Sequence, residues 1–175
     1  MKNFCLFLIL SIMSVGAYAT DWKIIEVKNT DKTAIAGYIY YTEAVGTKFG
    51  LNKEKVTTGF RFVCSSKEYR VVENTEPIIA IFWEGSPHGT TFQQVEVKID
   101  GKEIQMPQPQ RWTQEGPLLY RKISESKSFI QAMRSGKYVS FSWMGTDAYR
   151  RTTIFDLQYF TMYFSEFMTK CEIQL

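Results

Sequence analysis

Cys64 and Cys171 constrain this chain more than any other pair of residues, because the segment ahead of them reads as an export signal. Lys2 supplies a positive n-region, Phe4 to Val15 an apolar h-region, and Ala17-Tyr18-Ala19 a small-x-small cleavage site. Export delivers the product to an oxidising compartment, where two lone cysteines are expected to pair. Cys5 lies inside the leader and departs with it. A Cys64–Cys171 bond closes a loop of about 108 residues, worth about 4–5 kcal/mol in the chain-entropy description. Whatever fold the chain adopts must then carry residue 171 back onto residue 64.

Residues 1–19 are therefore read as a signal peptide and residues 20–175 as a single domain. The apolar run is short for a membrane span and is followed by a cleavage site, so no stable membrane insertion is expected after cleavage. The localisation expected is periplasmic or secreted. About 156 residues remain, enough for one sizeable core. A hydrophobic fraction of 45% and an aromatic fraction of 15% supply the apolar area that offsets the entropy of ordering. The net charge is only +3, with Lys2 the one charge in the leader, and both signs are mixed along the chain. Nucleic-acid binding is not expected from so weak a field.

Period-two alternation dominates the chain beyond the leader. Trp22 to Lys28 and Ala34 to Tyr41 are β-branched and aromatic runs separated by Asn29-Thr30-Asp31-Lys32, the chemistry of a turn, and read as an opening hairpin. Gly46 to Lys55 has no clear period and reads as a surface loop. Phe60, Phe62 and Cys64 alternate with Arg61 and Val63, which turns Cys64 inward. Ile78 to Trp83 is almost continuously apolar, as in a central strand covered on both faces. Phe92 to Ile99 alternates up to Asp100-Gly101, a strong hairpin signal. Met106-Pro107-Gln108-Pro109 forces the chain out of the sheet before Arg111-Trp112. Leu118 to Ile123 returns as a strand, and Val139, Phe141 and Trp143 mark another.

Two segments carry a helical period. Ser126 to Arg134 places Phe129, Ile130 and Met133 on one side, with Gly136 available to end the helix. The last helix has Asp156 as its candidate cap, Phe155 and Phe160 as a hydrophobic staple, and Leu157, Phe160, Phe164, Phe167, Met168 and Cys171 along one face. The expected fold is mainly β: an antiparallel β-sandwich or strongly bent sheet of about seven to nine strands, with a short helix, a C-terminal helix and one disulfide.

Cys64 ending a strand, "V-x-V-x-I-D-G" from Val95 to Gly101, the helix with Phe129-Ile130, "F-D-L-x-x-F" from Phe155 to Phe160 and a closing cysteine form a connected pattern. Over residues 56–171 it resembles the invasion-associated locus B-like secreted proteins and the VasI-type proteins associated with type VI secretion. The resemblance implies a small exported bacterial domain of largely β structure with no shared catalytic motif. The glycine and alanine pattern usual after "F-D-L" is replaced here by Gln158-Tyr159 and Thr161-Met162-Tyr163.

No residue constellation names a reaction. His88, the only histidine, sits in Gly85-Ser86-Pro87-His88-Gly89 and reads as a solvated loop residue, since Ser86 two positions away is poorly placed for nucleophile–base geometry. No metal-ligand spacing and no phosphate loop is present, so neither metal nor cofactor is expected. Glu73 and Glu76 flank a turn and read as solvated. Tyr, Trp and Arg are the residues most enriched at interface hot spots. Arg111 and Trp112 follow the proline-interrupted stretch, and Tyr149, Arg150 and Arg151 follow Gly145-Thr146-Asp147. These five residues form the candidate partner surface. The function expected is a non-enzymatic module that binds a protein partner in the envelope or outside the cell, or serves as a secretion accessory, with a small hydrolase of unrecognised site as the alternative. Thr20 should be the first residue of the exported protein on N-terminal sequencing; recovery of Met1 from a membrane fraction would establish an uncleaved anchor instead.

Overall fold

A computed structural model describes residues 21–28, 32–49, 54–65, 76–83, 90–104, 111–144 and 150–174. The leader, Glu73, His88 and Tyr149 lie outside the described residues. The strands are β1 (Lys23–Lys28), β2 (Ile35–Phe49), β3 (Glu54–Ser65), β4 (Ile78–Trp83), β5 (Thr90–Ile99), β6 (Lys102–Glu103), β7 (Arg111–Glu115), β8 (Leu118–Lys122), β9 (Tyr138–Met144) and β10 (Arg150–Asp156). Helix α1 spans Lys127–Ser135 and α2 spans Phe160–Lys170.

Each strand pairing is antiparallel. The hydrogen-bonded order is β1-β2-β10-β9-β5-β7-β8-β4-β3, and a further β2–β3 pairing returns the path to β2. Eight strands thus close into a ring, with β1 outside it on β2 and β6 on β5. Ten strands among the described residues slightly exceed the seven to nine expected. Across the interior β3 and β4 face β9 and β10. Phe60 meets Phe141 at 5.3 Å and Phe155 at 5.5 Å between ring centroids, and Trp83 meets Trp143 at 5.3 Å. The two halves of the ring press together like the layers of a sandwich.

The opening hairpin and the Asp-Gly hairpin form as expected. Asp100 and Gly101 both take positive φ, at 50° and 79°, the backbone that a two-residue type I′ turn requires. The Asp100 carboxylate also accepts hydrogen bonds from the backbone N–H groups of Lys137 and Tyr138, tying this turn to the start of β9. The loop expected at Gly46–Lys55 is instead mostly strand. Gly46 pairs with Val56, Thr47 with Lys55 and Lys48 with Glu54, while β10 takes the other edge of Thr47 to Phe49. Backbone groups satisfied on both edges hold a strand without any side-chain period.

The helices close the end of the ring where Cys64, Ile99, Val139 and Phe155 lie. Phe129, Ile130 and Met133 of α1 and Phe160, Phe164 and Phe167 of α2 are buried there. Phe62 gathers three α2 rings at 5.0 to 5.6 Å. Trp22 enters beside them, stacked on Phe62 at 5.7 Å and on Tyr163 at 6.0 Å. Tyr40 lies under α2, its phenol pushed upward in pKa chiefly by burial and further by the nearby Glu166 carboxylate. The Cys64–Cys171 disulfide fastens the last turn of α2 to the end of β3.

Both helix ends differ from the expected capping. Gly136 follows α1 with φ of −87°, an extended backbone open to any residue. Glycine is needed there because a Cβ would collide with the Ile99 side chain. Asp156 does not cap α2 but ends β10, its Oδ1 accepting the Gln158 N–H at 2.7 Å. Tyr159, in the left-handed region at φ 63°, turns the chain into the helix.

Trp112 is fully buried, edge-on to Phe141 at 5.9 Å and Phe129 at 6.5 Å. Trp112→Ala and Trp143→Ala should each cost about 3–5 kcal/mol through an unfilled cavity. Thermal melts of the two variants side by side check this, and a Trp112→Ala protein melting near the parent would contradict its place in the core.

Candidate binding surfaces

The structure divides the five residues of the expected partner surface. Arg111 begins β7 and Trp112 follows as an inward position of that strand, because β7 pairs with both β5 and β8. Arg151 is likewise an inward position of β10, only 2% exposed, with its guanidinium 5.7 Å from the Trp83 ring. Both are interior residues, which corrects their assignment to a surface. The error has one cause: segments that looked turn-rich continue as paired strands, and alternation then sends every second residue inward. The Arg111 side chain and Tyr149 lie outside the described residues. Arg150 alone is described as exposed.

Arg150 lines a groove of about 480 Å³ on the outside of β5, β9 and β10, together with Gln94, Glu96, Glu103, Ser142 and Met144. The Glu96 carboxylate is held from both sides, by the Lys98 ammonium and by Arg150 Nη2 at 2.7 Å. Hydrogen bonds from Lys98 and then Arg150 keep its pKa below the ordinary carboxylate value. Beneath them the Ser142 and Thr152 hydroxyls share a hydrogen bond of 2.9 Å. Glu96, Lys98 and Arg150 thus answer one another.

The opposite side of the ring is different. Because Tyr40, Phe60, Phe62, Ile79, Ile81 and Trp83 point inward, their neighbours Tyr41, Arg61, Val63, Ile78, Ala80 and Phe82 point out. Val63, Ile78 and Ala80 are nonetheless buried, under Ile39, Leu118 and Tyr120. In register the rows read Tyr41–Arg61–Ala80–Tyr120 and, beside them, Ile25–Ile39–Val63–Ile78. Ile25 at the margin is 45% exposed. The expectation that Ile78 to Trp83 is covered on both faces holds, and the outer cover is a second apolar cluster.

Arg61 stands in the middle of this face. Its guanidinium lies 4.4 Å from the centroid of Phe82 and 5.7 Å from that of Tyr41, a double cation–π contact. Gly59 is the next outward residue of β3, and a Cβ there would stand in ordinary contact with Arg61 Nε at 3.5 Å. Burial draws the guanidinium below arginine's ordinary pKa, with Glu43 and Tyr41 pulling the other way. Arg61 makes no ion pair or hydrogen bond with the described residues, and its Nε is buried without a partner. Glu43 pairs with Lys23 at 3.8 Å. The alternation that turned Phe60 and Phe62 inward marked Arg61 as outward, and the apolar Val63 beside it was the signal that its face is unlike a solvated one.

Among the described residues no group of three or more His, Cys, Asp or Glu side chains comes together as a metal site, and no helix is long and apolar enough to cross a membrane. Glu76, read as solvated, reaches Lys122 at 3.2 Å. Comparison with protein-family models, curated proteins and solved structures finds no match to this chain.

Arg150→Gln should raise the Glu96 pKa toward the ordinary carboxylate value, followed by NMR titration of the side-chain carboxyl. Because the folded pKa is depressed, the stabilisation from this ion cluster is present above the unfolded value and is lost as the pH falls through the folded one. An unchanged Glu96 titration in the variant would remove Arg150 from the cluster's electrostatics.

Proposed function

We propose that the protein is an exported, non-enzymatic module that binds another protein in the bacterial envelope or outside the cell. The observation that carries this reading is the outer face of β2, β3, β4 and β8. It combines an apolar cluster with Tyr, Phe and a partly desolvated Arg, the composition of interface hot spots, where a solvated strand face would alternate to polar side chains. The Cys64–Cys171 disulfide supports an oxidising compartment, in keeping with the leader read from residues 1–19. The resemblance to the invasion-associated locus B-like and VasI-type proteins is consistent with the same role. The sandwich-like sheets agree with the largely β structure those families imply.

The reading is tested by photo-crosslinking in intact cells, with the reactive group placed in turn at Phe82, Tyr120 and Lys98. Adducts to one protein from Phe82 and Tyr120, competed by added mature protein and missing at Lys98, are the expected result. Equal adducts from both sides of the ring, or none, would defeat it, and turnover of ester or peptide substrates by the purified protein would favour a small hydrolase.

A further inference from the structure

We infer that Arg61 is the point at which this face reads its partner, and that the group it reads is an acidic side chain, Asp or Glu, set between apolar residues of the partner protein. The inference rests on the face being the binding surface. Phe82 and Tyr41 support the flat of the guanidinium, and with Nε buried this leaves the Nη–H groups at its end to fork a carboxylate. Half-burying that cation costs hydration, which the two rings and the field of Glu43 return only in part: Arg61 has no ion pair or hydrogen bond with the described residues, and Glu43 pairs with Lys23. A partner carboxylate supplies the missing charge. The groove across the ring lacks this property, because Glu96 already answers both Lys98 and Arg150.

The surroundings select a protein segment over a free anion. One row away from Arg61 the half-buried Ile39 and the exposed Ile25 lie over the buried Val63 and Ile78, and the row on the other side reads Glu43–Gly59–Phe82–Leu118, with Phe82 and Leu118 half-buried. Rows along one strand face repeat about every 7 Å, the spacing of alternate residues in an extended chain. An extended segment with its acid on Arg61 therefore sets apolar residues two positions to either side, over Ile39 with Ile25 in one row and over Phe82 with Leu118 in the other.

The test uses the full oxidised chain, labelled with ¹⁵N, and two capped synthetic peptides. One carries a single Asp between valine and leucine residues, and the other has Asn in its place. The Arg61 Nε–H resonance and, in every variant, the backbone N–H resonances of Val63 and Ala80 are followed during titration. The acidic peptide should shift them saturably, and the Asn peptide should bind at least about tenfold more weakly, the loss of one charge-assisted hydrogen-bonded pair. Arg61→Gln should abolish the difference between the peptides, whereas Arg150→Gln, on the far side of the ring, should preserve it. Equal binding of both peptides at this face overturns the role of Arg61 and leaves the face as a binding surface. Absence of a saturable shift with either peptide also overturns it, while crosslinking from Phe82 and Tyr120 continues to report on the face independently. The Asp/Asn comparison on the unaltered protein needs no variant to fold.

Discussion

The structure depends on the pairing of β2 with β3, which runs in unbroken register from Gly37 opposite Ser65 to Lys48 opposite Glu54. A strand of this length can serve three neighbours. One edge of β2 is taken by β3, and the other is divided between β1 along Ile35 to Tyr41 and β10 along Thr47 to Phe49. That division closes the ring, and closure removes the open sheet edges that eight separate strands would present. It also leaves an interior that only side chains can fill. The supply is aromatic: Tyr40, Phe60, Phe62, Trp83, Trp112, Phe141 and Phe155 come from six strands and share one core cluster.

Where β2 parts from β10 the ring needs a plug, and the chain provides it from both of its ends. Trp22, just before β1, and the phenylalanines of α2 fill the opening together. The disulfide then holds α2 at the strand end it covers, so that the cross-link acts on the element with no backbone ladder of its own into the sheet. At the other end of the ring the interior turns polar. Thr58 donates to the Ala44 carbonyl at 3.0 Å and lies 2.6 Å from the Thr153 hydroxyl across the interior, with Arg151 beside Trp83. Small hydroxyls paired with one another carry the ring from its aromatic centre to that end at little desolvation cost.

Closure also sorts the outside into two kinds of surface. On β5, β9 and β10 the outward residues combine hydroxyls and the Lys98–Glu96–Arg150 charge cluster with the exposed rings and chains of Tyr138 and Met144. On the outer face of β3 and β4, Val63, Ile78, Ala80 and Phe82 surround one cation that aromatic rings hold and that has no ion pair with a described acid. The proposal places binding on the second surface, because exchanging water for a partner gains where apolar area adjoins a charge without an ion pair.

Alternation alone identified Phe60, Phe62, Cys64, Val95, Val97, Ile99, Val139, Phe141 and Trp143 as core, the helical period placed Phe129, Ile130, Phe160, Phe164 and Phe167, and the export signal led to the Cys64–Cys171 pairing. These features are local, because side-chain direction follows from strand or helix geometry within a few residues. Residues whose environment is decided by a distant strand were not legible. Trp112 and Arg151 followed turn-like sequence and were assigned to a surface, yet β5 and β8 capture one and β2 and β9 the other, and pairing fixes which way each points. Arg61 shows the same limit from the other side. The chain itself determined that it faces outward, next to Val63. Only the packing of β2 and β4 against β3 brought Tyr41 and Phe82 to its guanidinium and left it without an ion pair among the described residues, because those neighbours come from separate strands and meet only when the sheet is assembled.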